Sequence, residues 1–288
     1  MYFKYNKENV SGGEKMQLSI WSSFYVDLSP EDAVLELEKN AITCSELSDE
    51  HAAMLLERGE PVAVGTAFRK FAQEHHVVFP QGHLWLRCRL CDKETAATLK
   101  SWLDLFEAIG IKRAVLHCDN LRENKELTYE ERMAANLPVL RELTDYLKGR
   151  ELVICLENLP GFVQNADELL WIIHQVGSEN LGICLDTGHL HLSKYPDQEA
   201  FIKKAGHHLK ALHIADNEGE TDQHMIPCGR GTVDIEQVVR ALREIGYKGL
   251  FNLEIPGERR CPLKVRGYKL EYIKKLFDYL MGKETGAL

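Results

Sequence analysis

Long apolar runs are absent from this chain of 288 residues. No stretch approaches the roughly 20 apolar residues of a membrane-spanning helix, so we expect no membrane partner. The opening stretch, MYFKYNKENVSGGEKM, has no apolar core of the kind found in a secretory signal peptide. We therefore expect a cytoplasmic protein, with residues 1–15 as a polar extension before one domain of residues 16–288.

An excess of positive charge is absent as well. The 35 Lys and Arg residues are outnumbered by 44 Asp and Glu, which gives a formal net charge of −9. Proteins that bind nucleic acids usually present a basic face. The balance of charge therefore argues against a nucleic acid as the partner, although an acidic protein can still carry a local basic strip.

A disulfide framework is also missing from the pattern of the eight cysteines. Cys155 and Cys184 lie inside apolar, strand-like runs, and no export signal precedes them. Reduced thiols are the expected state. One CxxC pair occurs at Cys88 and Cys91, but a zinc ribbon needs a second pair, so we expect neither a metal nor a redox role for it.

Apolar strand-like runs alternate with amphipathic helical runs along the chain. Eight strands separated by helices indicate an α/β fold with a parallel sheet, and eight such units in about 250 residues are typical of a single (β/α)8 TIM barrel. An open doubly wound sheet is the alternative, but no GxGxxG follows the first strand. The predicted strands are residues 16–21, 41–46, 77–80, 113–118, 152–157, 181–186, 209–214 and 249–254.

Side chains that bind metals stand at the ends of four consecutive predicted strands: Glu157, Asp186, His213 and Glu254. Active sites of TIM barrels lie where the strands end. Carboxylates gathered there would repel one another unless a cation lies between them. Mixed carboxylate and imidazole ligands suit zinc, manganese, iron or cobalt. The sequence therefore predicts a divalent metal site, with zinc or manganese preferred and cobalt, iron or magnesium as further options.

Further candidate ligands lie near other strand ends. His189 follows Asp186 by three residues. We predict a loop here that begins with Thr187 and Gly188. Each of these side chains alone has an ordinary structural explanation, and the prediction depends on their recurrence. The remaining histidines are assigned to helices or to the opposite end of the barrel, with His191 as an outside candidate. The further candidate ligands are His83, His117, His189, Asp222 and His224.

Several stretches between residues 153 and 257 resemble the xylose isomerase-like TIM-barrel superfamily, which includes sugar isomerases and epimerases and the endonuclease IV-type repair enzymes. The resemblance implies a divalent metal held by Glu157, Asp186, His213 and Glu254. It also implies that Glu157 and Glu254 move protons through an enediolate and that His189 binds a substrate hydroxyl. The stretches are LVICLENLPG, GICLDTGH, LHIAD, DQHMIPCGRG and FNLEIPG.

Two activities remain open within this resemblance. The first is a metal-dependent isomerase or epimerase of a sugar or sugar phosphate. The alternative is an endonuclease IV-like phosphodiesterase acting on abasic DNA, because all nine candidate ligands match that family's three-zinc pattern. Three departures weaken this alternative: Gly188 before the histidine, Ile-Ala between His213 and Asp216, and the HLWLRC run that starts at His83. A non-catalytic binding barrel is the third hypothesis.

Arginines after the last two predicted strands are either solvated surface residues, the simpler interpretation, or the binding site of an anionic substrate. Arg230, Arg259 and Arg260 stand where TIM barrels often bind phosphate, and a guanidinium can bind phosphate with two hydrogen bonds. We therefore predict Arg230 as a substrate-binding residue and a small sugar or sugar phosphate as the partner. A homodimer is plausible for this class, although no residue pattern here indicates one.

Overall fold

A computed structural model describes residues 16–92, 94–194, 196–257 and 259–282, so the expected extension of residues 1–15 lies outside the described residues. All eight predicted strands are present. The strands are β1 Gln17–Trp21, β2 Cys44–Leu47, β3 Val78–His83, β4 Arg113–Leu116, β5 Val153–Glu157, β6 Leu181–Asp186, β7 Leu209–His213 and β8 Leu250–Leu253. The α-helices are α1 Pro30–Lys39, α2 Asp49–Leu56, α3 Pro61–Glu74, α4 Thr95–Ile109, α5 Tyr129–Ala135, α6 Leu137–Tyr146, α7 Ala166–Val176, α8 Thr187–His191, α9 Gln198–Ala205, α10 Ile235–Glu244 and α11 Leu263–Leu280.

The eight strands form one parallel sheet in the order β7-β6-β5-β4-β3-β2-β1-β8. The two outer strands of this order meet at their C-terminal ends. The Ile214 amide donates to the Asn252 carbonyl at 2.7 Å, and the Glu254 amide donates to the Ile214 carbonyl at 3.2 Å. This contact closes the sheet, so the TIM barrel is confirmed and the open-sheet alternative is wrong.

Local sequence accounts for most element boundaries. Gly110 and Gly177 adopt positive φ values of 99° and 70° where α4 and α7 end, as expected for glycines that terminate helices. β3 continues three residues beyond its predicted end and includes His83. β2 begins later than predicted because Ala41 and Ile42 donate their amides to carbonyls of α1 and belong to its terminal turn.

The main hydrophobic core lies between the barrel and its helices. Leu156, Leu185 and Leu212 of three neighbouring strands belong to this core, together with Leu169 of α7 and Val238 of α10, and all five are fully buried. Burial of each such side chain contributes about 2 kcal/mol relative to exposure. Among the described residues, no helix has both the length and the apolar character needed to cross a membrane.

Candidate metal centre

The inner face of the barrel carries mostly small residues at mid-height and predicted metal ligands where the strands end. Four buried residues form a small cluster separate from the main core: Val115, Cys155, Cys184 and Ala211. Side chains two places apart on a strand share a face. Two places further along come His117, Glu157, Asp186 and His213. The alternation that buries the small cluster therefore directs these ligands to the C-terminal mouth.

The four ligands predicted from the strand ends lie together. Glu157, Asp186, His213 and Glu254 are all buried, and one potential ligand atom from each lies within 4.8 Å of the others. The Nδ1 atom of His213 is 3.2 Å from Glu157 Oε2 and 3.4 Å from Glu254 Oε2. We call these four residues the central cluster.

The free polar atoms of the central cluster fit a bound cation. Within the described residues, Asp186 Oδ2, His213 Nδ1 and Glu254 Oε2 are buried and make no hydrogen bond. His213 Nε2 lies 3.0 Å from Glu46 Oε1 and can donate its proton there, which leaves a lone pair on Nδ1 facing two carboxylates. A positive charge among these atoms is needed to offset the repulsion and the cost of burial. A protonated His213 can supply this charge, because its carboxylate neighbours outweigh burial and raise the pKa of the ring well above its usual value. A divalent ion would supply it instead.

The three carboxylates of the central cluster differ in their pKa values. Burial opposes ionisation of Glu157, but the nearby His213 and His117 outweigh it and hold the pKa of Glu157 well below its usual range. Burial raises the pKa of Asp186 to about 7, and the charges of Glu254 and Glu157 act in the same direction. Burial also opposes ionisation of Glu254, yet His213 brings the pKa of Glu254 down to about 2. The two glutamates are therefore ready-made anionic ligands.

Two more predicted ligands surround Glu157. The Nε2 atom of His117 lies 3.0 Å from Glu157 Oε2, and that of His83 lies 3.6 Å from the same oxygen. His83 donates from Nδ1 to the Leu84 carbonyl at 2.6 Å, so its buried Nε2 keeps a free lone pair. The ligand atoms of His83, His117 and Glu157 all lie within 4.8 Å of one another and form a second group that could hold a metal.

The other three predicted ligands form a third group, His189, Asp222 and His224, with ligand atoms within 4.8 Å of one another. Asp222 Oδ2 is 3.1 Å from His189 Nε2 and 3.2 Å from His224 Nε2. The expected loop around His189 is wrong, because residues 187–191 form α8. Asp186 caps this helix by accepting the His189 amide at 2.6 Å. The structure thus brings all nine predicted ligands to one mouth.

Asp216 stabilises the insert between β7 and α10, residues 214–234, through hydrogen bonds. Its Oδ1 atom accepts the amides of Asn217 and Val233, both at 2.9 Å, and its backbone pairs with Met225. Gly231 packs so tightly here that a Cβ atom would lie 2.1 Å from Asp216 Oδ1. These contacts fix the segment that carries Asp222 and His224.

Among the described residues, the predicted phosphate-binding arginines make no hydrogen bond or ion pair with the nine predicted ligands. The side chain of Arg230 is 77% exposed, and its Nε donates to Glu218 Oε1 at 2.8 Å. Arg259 and Arg260 are exposed. A substrate-binding role for Arg230 stays a prediction.

Sequence reasoning missed two residues that support the cluster. Glu46, fully buried at the end of β2, contacts His213. The predicted second strand also ends in this acidic residue, so the pattern that identified Glu157 could have found it. Asn158 accepts the Asp186 amide at 2.8 Å and donates to the Asp186 carbonyl at 3.0 Å. The stretch LVICLEN contains Asn158, but no spacing in the sequence indicates this pairing.

Comparison with protein-family models places the chain among known proteins. The model described as "Xylose isomerase-like TIM barrel" matches residues 39–279. The match covers most of the chain, including all nine predicted ligands. The protein belongs to this family, and the resemblance noted in the sequence is confirmed.

Curated relatives are distant and include sugar-converting enzymes. Inosose isomerase of Bacillus subtilis is 26% identical over 170 residues, which cover 56% of this chain and 60% of that protein. Fructoselysine 3-epimerase of Escherichia coli O157:H7 is 30% identical over 128 residues, 43% of this chain and 45% of that protein. An uncharacterized protein of Sinorhizobium fredii is 29% identical over 66% of this chain and 60% of its own length. The matches thus span about 60% or less of these relatives.

Solved structures share the fold over nearly the whole chain. A D-psicose 3-epimerase determined in the presence of D-fructose superimposes with a TM-score of 0.77, at 15% identity, over 93% of this chain and 100% of that one. A 3-keto-D-glucoside 4-epimerase from E. coli gives a TM-score of 0.74 at 15% identity, over 91% of this chain and 100% of that one. Likeness at this identity shows the fold alone.

Proposed function

We propose that this protein is a metal-dependent isomerase or epimerase of a sugar or sugar phosphate. The observation that carries the proposal is the central cluster, four buried ligands within 4.8 Å of one another at the barrel mouth. Relatives named as inosose isomerase and fructoselysine 3-epimerase support the choice of reaction class. Fold alone would not support it, since one fold hosts many chemistries.

Glu157, Asp186, His213 and Glu254 would hold the metal, with zinc or manganese preferred by their mixed oxygen and nitrogen donors. When bound, the ion would polarise the substrate carbonyl and stabilise negative charge on the substrate oxygens. The ion would in turn give a partner to Asp186 Oδ2, His213 Nδ1 and Glu254 Oε2, which make no hydrogen bond among the described residues. His83, His117, His189, Asp222 and His224 surround them as the remaining predicted ligands.

The proton transfers are assigned to the two glutamates. One of Glu157 and Glu254, as a carboxylate, removes the proton from the carbon beside the carbonyl and leaves an enediolate. The other, a carboxylate in the free cluster, takes up a proton from solvent when the substrate binds and then returns a proton to the enediolate. Return to the opposite face of the same carbon inverts it, as in an epimerase. Return to the former carbonyl carbon, with the hydroxyl proton moving between oxygens, relocates the carbonyl as in an isomerase.

Substrate contacts are assigned from position. His189 lies on α8 at the mouth, beside Glu157 and Asp222, and would bind a substrate hydroxyl. Arg230 would bind a phosphate if the substrate carries one, which requires it to leave Glu218. An exposed ion pair contributes only about 0–1 kcal/mol, so this exchange costs little.

Exchange of carbon-bound hydrogen with solvent tests the proposed reaction. The protein with manganese should incorporate deuterium from D2O into at least one of D-psicose, fructoselysine and an inosose beside the carbonyl, as seen by mass spectrometry. Glu157→Gln and Glu254→Gln should each slow this exchange by about 10²–10⁴-fold. His191→Gln is the control, because His191 bonds to Thr232 outside the cluster and should leave exchange unchanged. Wild-type rates in both glutamine variants would reject their roles.

A second candidate is an endonuclease IV-like phosphodiesterase. The observation that favours it is that two further three-residue groups made up of predicted ligands lie beside the central cluster, since a three-metal centre needs more ligands than one ion uses. Cleavage of a duplex containing one abasic site, by protein loaded with zinc, tests this candidate. An intact duplex under conditions where the zinc is bound would remove it.

A further inference from the structure

Glu46 lies at the centre of a buried polar network beneath the central cluster. Its Oε1 atom is 3.0 Å from His213 Nε2. Its Oε2 atom accepts from Gln81 Nε2 at 3.2 Å and from Asn252 Nδ2. Asn252 accepts in turn from the Ser19 hydroxyl at 2.8 Å. All five residues are at most 1% exposed, so this carboxylate is sealed from water.

The hydrogen-bond donors around Glu46 make it an acceptor towards His213. Both amide side chains present N–H groups to Oε2, so this oxygen acts as an acceptor. With Glu46 as a carboxylate, Oε1 is an acceptor too, and His213 Nε2 beside it carries the proton and donates it. The opposite ring atom, Nδ1, is the one that lies 3.2 Å from Glu157 Oε2 and 3.4 Å from Glu254 Oε2. The network thus fixes both the orientation of the ring and the nitrogen it offers to the cluster.

We propose that Glu46 is a positioning residue for the metal. It holds His213 so that Nδ1 is the coordinating atom, and its negative charge strengthens that nitrogen as a donor. This inference rests on the proposed function only for the presence of a divalent ion, and it holds whichever sugar is the substrate. Histidines that coordinate a metal commonly donate their other ring N–H to a carboxylate. Loss of that carboxylate typically lowers metal affinity about 10–100-fold.

Metal affinity, measured without any sugar, tests the inference. Manganese and cobalt dissociation constants are determined by competition with a chelator for wild-type protein, Glu46→Gln and Ser19→Ala. Glu46→Gln keeps the size of the side chain but removes the charge, and should raise both constants about 10–100-fold. Ser19→Ala is the matched control. It removes the outermost hydrogen bond of the same network without touching Glu46 or His213, and should leave both constants unchanged.

A second measurement needs no substitution at Glu46. Nitrogen-15 NMR of histidine-labelled wild-type protein loaded with zinc should show His213 with Nδ1 bound to the metal and Nε2 protonated, with His213→Gln used to assign the signals. Coordination through Nε2 would overturn the proposal. So would equal affinities of wild type and Glu46→Gln, or a wild-type protein that binds neither ion.

The inference and the proposed function fail in different ways. If Glu46→Gln weakens metal binding but no sugar exchanges hydrogen in D2O, the positioning role of Glu46 is supported and the proposed reaction class is rejected. If hydrogen exchange occurs and Glu46→Gln binds manganese as tightly as wild type, the reaction class stands and the positioning role is rejected.

Discussion

At the scale of single residues, Asn158 links two neighbouring ligands. It follows Glu157 directly, is fully buried, and pairs with both the amide and the carbonyl of Asp186. Asn180 is its counterpart at the opposite end of the same strand pair. That side chain donates to the carbonyls of Arg150 and Leu152 at 3.0 Å and 2.8 Å. The two asparagines therefore offer a comparison between similar hydrogen bonds at the two ends of the barrel.

Asn158→Ala should both destabilise the protein and weaken metal binding. Loss of its two hydrogen bonds leaves buried backbone groups unpaired and should lower the free energy of unfolding by about 1–3 kcal/mol. The freed Asp186 should raise the metal dissociation constant about tenfold. Asn180→Ala should cost stability but leave the metal dissociation constant unchanged. Urea denaturation and chelator competition measure the two effects, and equal metal affinity in the two variants would contradict the role of Asn158.

The residues of the central cluster could be predicted because each ends an apolar strand, and strand ends converge in a barrel. The pairing of Arg230 with Glu218 could not, since it depends on how Asp216 folds the insert. The contact between Glu46 and His213 joins residues 167 positions apart. Only closure of the barrel brings them together, so the sequence pattern gives the acidic residue but not its partner.

Among the elements, a buried arginine joins the last helix, α11, to the segment between β1 and α1. Arg266 of α11 is 2% exposed and donates to both carboxylate oxygens of Asp27, at 2.6 Å and 2.8 Å. It also donates to the carbonyls of Phe24 and Cys261. Hydrogen bonds from Arg266 lower the pKa of Asp27 below its ordinary value. The contact therefore stabilises the fold only while Asp27 is ionised.

Asp27→Ala should lower the free energy of unfolding at neutral pH by about 2 kcal/mol, because it leaves a buried guanidinium without its carboxylate. This value is below the range for fully buried pairs because the Asp27 side chain is 30% exposed. A lowered folded-state pKa gives stability that is complete above the unfolded pKa of about 4 and is lost as the pH falls through the folded value. The difference between wild type and variant should therefore narrow at acidic pH.

Urea denaturation at neutral pH and near pH 3 measures this difference. Glu31→Ala is the matched control, because Glu31 pairs with Arg58 at a site where both side chains are about one-third exposed. That variant should lose only about 0.5 kcal/mol. A gap between Asp27→Ala and wild type that stays constant with pH would contradict the account.

The sequence predicts the elements correctly where continuous apolar runs mark the strands. All eight strands were located, since buried parallel strands are apolar throughout. The helix at residues 187–191 was missed. Five residues are too few for a helical pattern to appear, and the cap by Asp186 that stabilises this helix can equally be formed in a loop.

Across the whole barrel, four consecutive strands bring carboxylates and an imidazole together at the mouth, and the proposed divalent ion would balance their charge. Metal should therefore stabilise the folded protein. Manganese at about 100 times its dissociation constant should raise the free energy of unfolding by about 2.7 kcal/mol. Thermal denaturation should show a higher melting temperature with manganese, reversed by EDTA and absent for Glu254→Gln at the same concentration. An unchanged melting temperature in wild type would contradict metal binding by the folded state.

Metal content per chain, measured by elemental analysis of protein purified without chelator, tests the proposed metal centre. We expect one manganese, zinc or cobalt ion per chain, and none in a variant lacking both Glu157 and Glu254. Three zinc ions per chain would contradict a single-metal isomerase or epimerase and favour the phosphodiesterase. Protein that contains no metal, and takes up none on addition, would contradict the metal centre itself.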